Sequence, residues 1–126
     1  MPTKKKTHNK NDRHILIVEN NGAIANMQDD AMVEVVCELG INGPRPMRVG
    51  NIPQFNLGLL VNQVSCEKLI VDAYFENSYQ KALEAFTLNR LINDAKKARK
   101  VLDALIEANK GMWPELRESD IIREYM

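Results

Sequence analysis

The sequence predicts an α+β fold, a small antiparallel β-meander packed with a long central helix and further helices. Three observations predict it. Runs rich in β-branched residues are confined to positions before 50. Between them stand Asn-Gly and Gly/Pro turn signals, and consecutive strands so linked suggest a meander. After Pro53 the apolar residues recur at helical spacing, with Ser and Asp at credible N-cap positions. The 126 residues suit one domain with a modest core, and 44% apolar with 27% charged residues is ordinary globular composition.

His14-Ile-Leu-Ile-Val18 reads as the first strand, apolar enough to be buried on both faces. Glu19-Asn-Asn-Gly22 ends it, because Asn and Gly tolerate positive φ. Ala23 to Ala31 shows no period and reads as a loop. Met32 to Leu39 is the second strand, with Val33, Val35, Cys37 and Leu39 on one face and Glu34, Val36 and Glu38 on the other. Gly40-Ile-Asn-Gly43 is a hairpin signal. Pro44 and Pro46 then limit Arg45 to Val49 to a short edge strand.

Pro53 suits a first helical position. Gln54 to Phe75 carries Leu57, Leu60, Val61 and Val64 on one side and Leu59, Cys66, Ile70 and Ala73 on another. So narrow a polar face predicts a central helix packed by several neighbours. Ser78 caps a short helix through Tyr79, Ala82, Leu83 and Phe86. Asp94 caps a third, whose stripe is Ala98, Val101, Leu102, Leu105 and Ile106, and Gly111 ends it as a C′ glycine. Trp113-Pro114 closes the fold, and residues 117–126 are expected to form a tail that is loosely held or adds a further helical turn.

Charge is unevenly spread. Residues 1–14 carry a net +4 and the remainder −4, for a net charge of zero. Residues 1–12 are expected to be a disordered basic leader. That leader has no aromatic residue for base stacking, so no nucleic-acid partner is expected. The longest apolar run, Ile15 to Val18, spans no bilayer, and no apolar signal segment follows the basic start. Two cysteines make no disulfide framework, which suits a reducing cytoplasm.

The search for chemistry ends without a site. Cys37 and Cys66 are 29 positions apart without a metal-binding spacing, and His8 and His14 lie in or beside the leader. They read as buried thiols and exposed imidazoles. Asp29-Asp30 reads as a turn or cap pair and Glu34 with Glu38 as a solvated or interface strand face. The GxxG of Gly40 to Gly43 sits between strands, whereas a nucleic-acid-clamping GxxG joins helices. No Walker loop, GxGxxG turn or GxSxG elbow is present. Lys96, Lys97, Arg99 and Lys100 read as the solvated face of the third helix.

A resemblance is carried by a series of blocks in order. They are Ile17-Val-Glu-Asn-Asn-Gly-Ala-Ile-Ala-Asn26, Asp29-Asp-Ala-Met-Val-Glu-Val35 and Gly40-Ile-Asn-Gly-Pro44, then Gly50-Asn-Ile-Pro-Gln-Phe55 and Glu67-Lys-Leu-Ile-Val-Asp-Ala-Tyr-Phe75. Ser78-Tyr-Gln-Lys-Ala-Leu83, Leu105-Ile-Glu-Ala-Asn109 and Trp113-Pro-Glu-Leu116 complete it. Together they resemble the C-terminal part of family 4 glycoside hydrolases, most of all the 6-phospho-α-glucosidases, over residues 13–116. The resemblance implies a domain like the C-terminal domain of lactate and malate dehydrogenases, which in the family follows a Rossmann domain. It also implies a cytoplasmic, homo-oligomeric parent enzyme acting on phosphorylated disaccharides such as maltose 6′-phosphate. That family is an NAD-dependent exception among glycosidases. Its chemistry oxidises the sugar at C3, acidifies the C2 proton beside a divalent metal, usually manganese, and eliminates the leaving group.

The family's nucleotide-binding turn, metal ligands, base and substrate-binding residues precede the matched region. No catalytic, cofactor-binding or metal-binding residue is therefore assigned, and Cys37 and Cys66 do not match the metal-binding cysteine. The chain is expected to be a fragment lacking the Rossmann domain, inactive alone, binding neither NAD nor metal, and prone to self-associate. The reading from a different class is a non-catalytic binding or oligomerisation module that reuses this domain.

Overall fold

A computed structural model of the chain describes residues 12–118. The chain divides into two compact units, with the boundary after Leu57. Nothing in the sequence marks that division, because it falls inside one continuous helix.

The first unit is a three-stranded antiparallel sheet in the order β1-β2-β3, with β1 at Asp12–Glu19, β2 at Met32–Gly40 and β3 at Gly43–Pro46. The meander is as expected. β1 runs against β2 with Leu16 opposite Val35 and Val18 opposite Val33. Gly40 pairs with Gly43, which makes Ile41-Asn42 the hairpin turn. Gly43 has φ +93°, where glycine carries no steric cost.

Two strand expectations need correction. β1 is not buried on both faces: Ile15 and Ile17 are 66% and 70% exposed, while Leu16 and Val18 are half-buried. With a period of two, the odd residues share one face, and among the described residues nothing covers it. β3 begins at Gly43 and ends at Pro46, so it is not the 45–49 strand. Pairing starts directly at the hairpin, and after Met47 the backbone turns to the preceding loop instead. There Val49 N donates to Ala23 O at 2.7 Å and Ala25 N to Gly50 O at 2.9 Å.

The loop between β1 and β2 is more ordered than its missing period suggested. Asn21 (φ +41°) and Gly22 (φ +80°) make the expected turn. Beyond it Ala23, Ile24, Met27 and Ala31 are buried, as are Val33, Val35 and Cys37 of β2. These residues form the core of the first unit.

α1 covers Gln54–Glu76, α2 Tyr79–Leu88 and α3 Ala95–Ala108. α1 starts where Pro53 predicted, with Leu57 N donating to Pro53 O. It is not packed on all sides, however. Val64, Cys66 and Ala73 are buried, whereas Phe55, Val71, Tyr74 and Phe75 are more than half exposed and Leu60 is 41% exposed. Val64 lies on the opposite side of the helix from Cys66 and Ala73, so the described chain covers parts of two sides and leaves the rest open.

In the second unit both predicted N-caps are present. Ser78 Oγ accepts from Lys81 N at 3.2 Å, and Asp94 Oδ1 accepts from Lys97 N at 2.7 Å. The C′ role of Gly111 is corrected: α3 stops at Ala108, and Asn109 caps it through its backbone N–H and its Nδ2, both donating to Leu105 O. Gly111 (φ +86°) lies in the following turn, closed by Met112 N to Asn109 O. Ala73, Tyr79, Ala82 and Leu102 form the core, with Ile70, Leu83, Phe86, Ile106 and Leu116 packed on it. Ala85 and Ala98 are also buried, so small side chains occupy most of the closed positions of this unit.

The terminal expectations are mostly beyond view. Asp12 already belongs to β1, and the remaining leader lies outside the described residues. Of the tail, Arg117 is held, not loose: its N–H donates to Asn77 O at 2.8 Å and its carbonyl accepts from Tyr79 N at 3.1 Å. The rest of the tail after Glu118 lies outside the described residues. No described helix is long and apolar enough to cross a membrane.

Candidate functional site

The residues weighed for catalysis stay apart. Among the described residues no three His, Cys, Asp or Glu form a group able to hold a metal ion. β-pairing does set His14 opposite Cys37. But Cys37 is fully buried, its thiol directed to Val35 O at 3.6 Å, and His14 is exposed. Cys66 is buried in the other unit, and burial pushes its thiol above the ordinary range, away from thiolate chemistry. His8 lies outside the described residues. Asp29 and Asp30 are exposed turn residues, and Asp29 O accepts from Asn21 N. Gly40 to Gly43 is a hairpin end, with no helices to make a nucleic-acid clamp.

Glu34 and Glu38 differ in surroundings. Arg45, across the sheet, donates to Glu38 Oε2, and Arg13 lies 4.0 Å from Oε1. The Arg45 hydrogen bond and charge hold the Glu38 carboxyl below its usual range. It stays ionised as an exposed ion-pair partner and offers no proton for acid catalysis.

Two polar constellations escaped the sequence reading. The first centres on Asn20, which is 1% exposed. Its Nδ2 donates to the carbonyls of Ile24, Met27 and Gln28 at 3.0, 3.2 and 3.0 Å, and its Oδ1 accepts from Ile24 N at 2.7 Å. Two hydrogens shared among three carbonyls bind the whole loop to one amide. Asn26 repeats the device with Ile52, donating to its carbonyl and accepting from its N–H, both at 3.0 Å. A hydrophobic side chain at either position would strand these backbone groups.

The second joins α2, α3 and the segment after α3. Tyr79 donates its hydroxyl to Asp103 Oδ1 at 2.6 Å, while the Arg99 guanidinium lies 5.3 Å from its ring centroid and 3.2 Å from Glu118 Oε1. Arg99 is therefore turned inward, a correction to the reading of 96–100 as uniformly solvated; Lys96, Lys97 and Lys100 are exposed as expected. Burial, then the Asp103 hydrogen bond, raises the Tyr79 hydroxyl well above its ordinary range. A phenol so held is a structural donor, with no readiness to act as a base.

The second unit also carries an open apolar cleft of about 490 Å³, lined by Cys66, Ile70, Val71, Phe86, Leu91 and Ile92, with Gln63, Glu67 and Asn89 as its polar members. Gln63 Nε2 donates to Glu67 Oε1 at 2.9 Å. The cleft can take an apolar group but pairs no nucleophile with a base.

The described residues thus hold loop-fastening amides and no group of three metal-ligating side chains. Residues 6–92 match the family 4 glycosyl hydrolase C-terminal domain, and the chain belongs to that family. It is 54% identical over 112 residues to the maltose-6′-phosphate glucosidase of Bacillus subtilis (strain 168), covering 89% of this chain and 25% of that protein. It is 54% identical over 106 residues to the 6-phospho-alpha-glucosidase of Leptotrichia buccalis, covering 84% of this chain and 24% of that one. A solved 6-phospho-alpha-glucosidase from gut microorganisms, in complex with NAD and Mn2+, is 82% identical with a TM-score of 0.83, over 86% of this chain and 25% of that one. The 6-phospho-beta glucosidase of Thermotoga maritima, solved with manganese, NAD+ and glucose-6-phosphate, is 27% identical with a TM-score of 0.79, over 88% of this chain and 27% of that one. The chain thus spans about a quarter of the length of the relatives it matches.

Proposed function

We propose that this chain serves as the C-terminal domain of a 6-phospho-α-glucosidase, a cytoplasmic, homo-oligomeric enzyme whose substrates are phosphorylated disaccharides. The 54% identity to the maltose-6′-phosphate glucosidase along 89% of this chain is the observation that carries the reading. The exposed apolar residues of α1 support it: Phe55, Val71 and Phe75 are surfaces that a larger enzyme would cover. Residues 13–116 make up the domain proper in this reading.

The parent would use NAD and a divalent metal, usually manganese. This chain's described residues offer no metal-holding group and its sequence no glycine-rich nucleotide turn, so no catalytic step is assigned to its side chains. Its part is to complete the enzyme's fold. Alone it is inactive.

A chimera tests this. The matching quarter of the Bacillus subtilis relative is replaced by this chain, and hydrolysis of a chromogenic 6-phospho-α-glucoside is followed with NAD and Mn2+. The chimera should work within about tenfold of the parent, a loss of about 1.4 kcal/mol in transition-state stabilisation. The pure chain should show no turnover. A folded, NAD-binding chimera without activity would overturn the assignment, and turnover by the pure chain would overturn its inactivity alone.

A further inference from the structure

We propose that β1 is a self-pairing edge, joining a second copy of this chain antiparallel about a two-fold axis at Leu16 to make one six-stranded sheet. β1 stands at the end of the order β1-β2-β3, and no other described strand pairs along its free side. Eight residues of extended backbone with an exposed isoleucine pair are a template for a further strand.

The register identifies the occupant. Arg13, Ile15, Ile17 and Glu19 share the exposed face. A continuous face requires odd residues opposite odd residues, because side chains alternate along a strand. With Leu16 opposite Leu16, Arg13 of each copy meets Glu19 of the other, and Ile15 meets Ile17. On the reverse face His14 meets Val18. Opposite charges thus close both ends and an isoleucine quartet fills the middle, a strand complementary to its own antiparallel copy. Moving the axis by one residue, to Ile15 or to Ile17, sets Arg13 against Ile17 or Glu19 against Ile15 and loses both charge pairs. Arg13 is free to serve the second carboxylate, being 65% exposed and only 4.0 Å from its in-chain partner Glu38. The contact is isologous, so it closes at a dimer. It needs only β1 and does not rest on the glycosidase reading.

The test is the mass of the full chain by analytical ultracentrifugation at about 50 μM, suited to a small interface. The unchanged chain should be dimeric. Arg13→Glu and Glu19→Arg, each alone, turn two attractive pairs into two repulsive ones and should weaken the dimer by about tenfold or more. Mixed in equal amounts, these two variants should pair with each other as tightly as the unchanged chain, since each reversed charge then faces its opposite. Chains with Ile15→Cys and Ile17→Cys, mixed and oxidised, should crosslink to each other faster than to themselves. A monomeric unchanged chain, single variants that dimerise undiminished, or a mixture no tighter than its components would overturn the proposal. Should a charge variant fail to fold, absence of the preferred crosslink would overturn it equally.

Discussion

Asn20→Asp changes one NH2 group to an oxygen and leaves the shape of the side chain intact. In the protein, Nδ2 serves three carbonyls at 3.0 to 3.2 Å, and Oδ1 accepts from Ile24 N. The substitution keeps the acceptor and removes both donor hydrogens. It also brings a carboxylate oxygen against three carbonyl oxygens at a site 1% exposed, where water cannot step in. An unsatisfied buried group costs about 1–3 kcal/mol, and two donated hydrogens are lost, so a cost of about 3 kcal/mol or more is expected at pH 7. The new carboxyl should have its pKa raised, because burial and the carbonyls disfavour its charge. With the folded value above the unfolded one, the stability it supports is full below about pH 4, the ordinary Asp value, and lost as pH rises through the folded value. Hydrogen exchange on peptides covering residues 20–31 reads this locally. Protection should collapse at pH 7 and partly return toward pH 5 once the pH dependence of intrinsic exchange is removed. A loss under about 1 kcal/mol, equal at both pH values, would show that the loop is held by something other than this amide.

Leu102→Ala should cost the second unit about 2–5 kcal/mol in urea unfolding, because the side chain is fully buried between Ala73, Ala82 and Tyr79. Lys97→Ala, on the exposed face of the same helix, should stay within about 0.5 kcal/mol, and similar losses at the two positions would contradict the packing. Tyr79→Phe should cost about 1 kcal/mol at pH 7 through its lost bond to Asp103. Because the Tyr79 pKa is raised on folding, the unfolded chain ionises first. The tyrosine's contribution is then full below about pH 10 and shrinks as pH rises further, so the gap between the two proteins should close above pH 10. A gap constant from pH 8 to 11 would contradict this.

The local signals in the sequence held at the two helix starts and the first turn, where the residue's own side chain or φ decides the geometry, and failed at Gly111, which Asn109 pre-empts. Ser78 and Asp94 cap their helices through their own side chains, and Asn21-Gly22 turns the chain by its own tolerance of positive φ. Burial was legible only where covering came from nearby in the chain. Val33, Val35 and Cys37 are buried as their alternation implied. Ile15, Ile17 and Leu60 are just as apolar, yet exposed, because apolarity records a demand for cover and not its supply. The bonds of Asn20 and Tyr79 were illegible for another reason. Asn20 sits in an Asn-Asn-Gly run that any turn would explain, and Tyr79 finds Asp103 twenty-four positions away, a distance over which no helical spacing informs. The family, in contrast, was readable from the ordered blocks, which survive whatever each residue contacts.

The alanines in the second unit have a consequence for how this chain can change over generations. Ala73, Ala82, Ala85 and Ala98 are at most 2% exposed, on three helices. A single base change in an alanine codon yields Val, Thr, Ser, Gly, Pro, Asp or Glu. Val and Thr add bulk to closed contacts, Pro breaks the helix, and Asp and Glu bring in charge, leaving only Ser and Gly near the original volume. A leucine core drifts easily through Ile, Met and Val, but these four positions have few harmless neighbours. The unit therefore carries a mutational load set by its smallest side chains, concentrated on residues that a reader looking for large hydrophobic anchors would pass over.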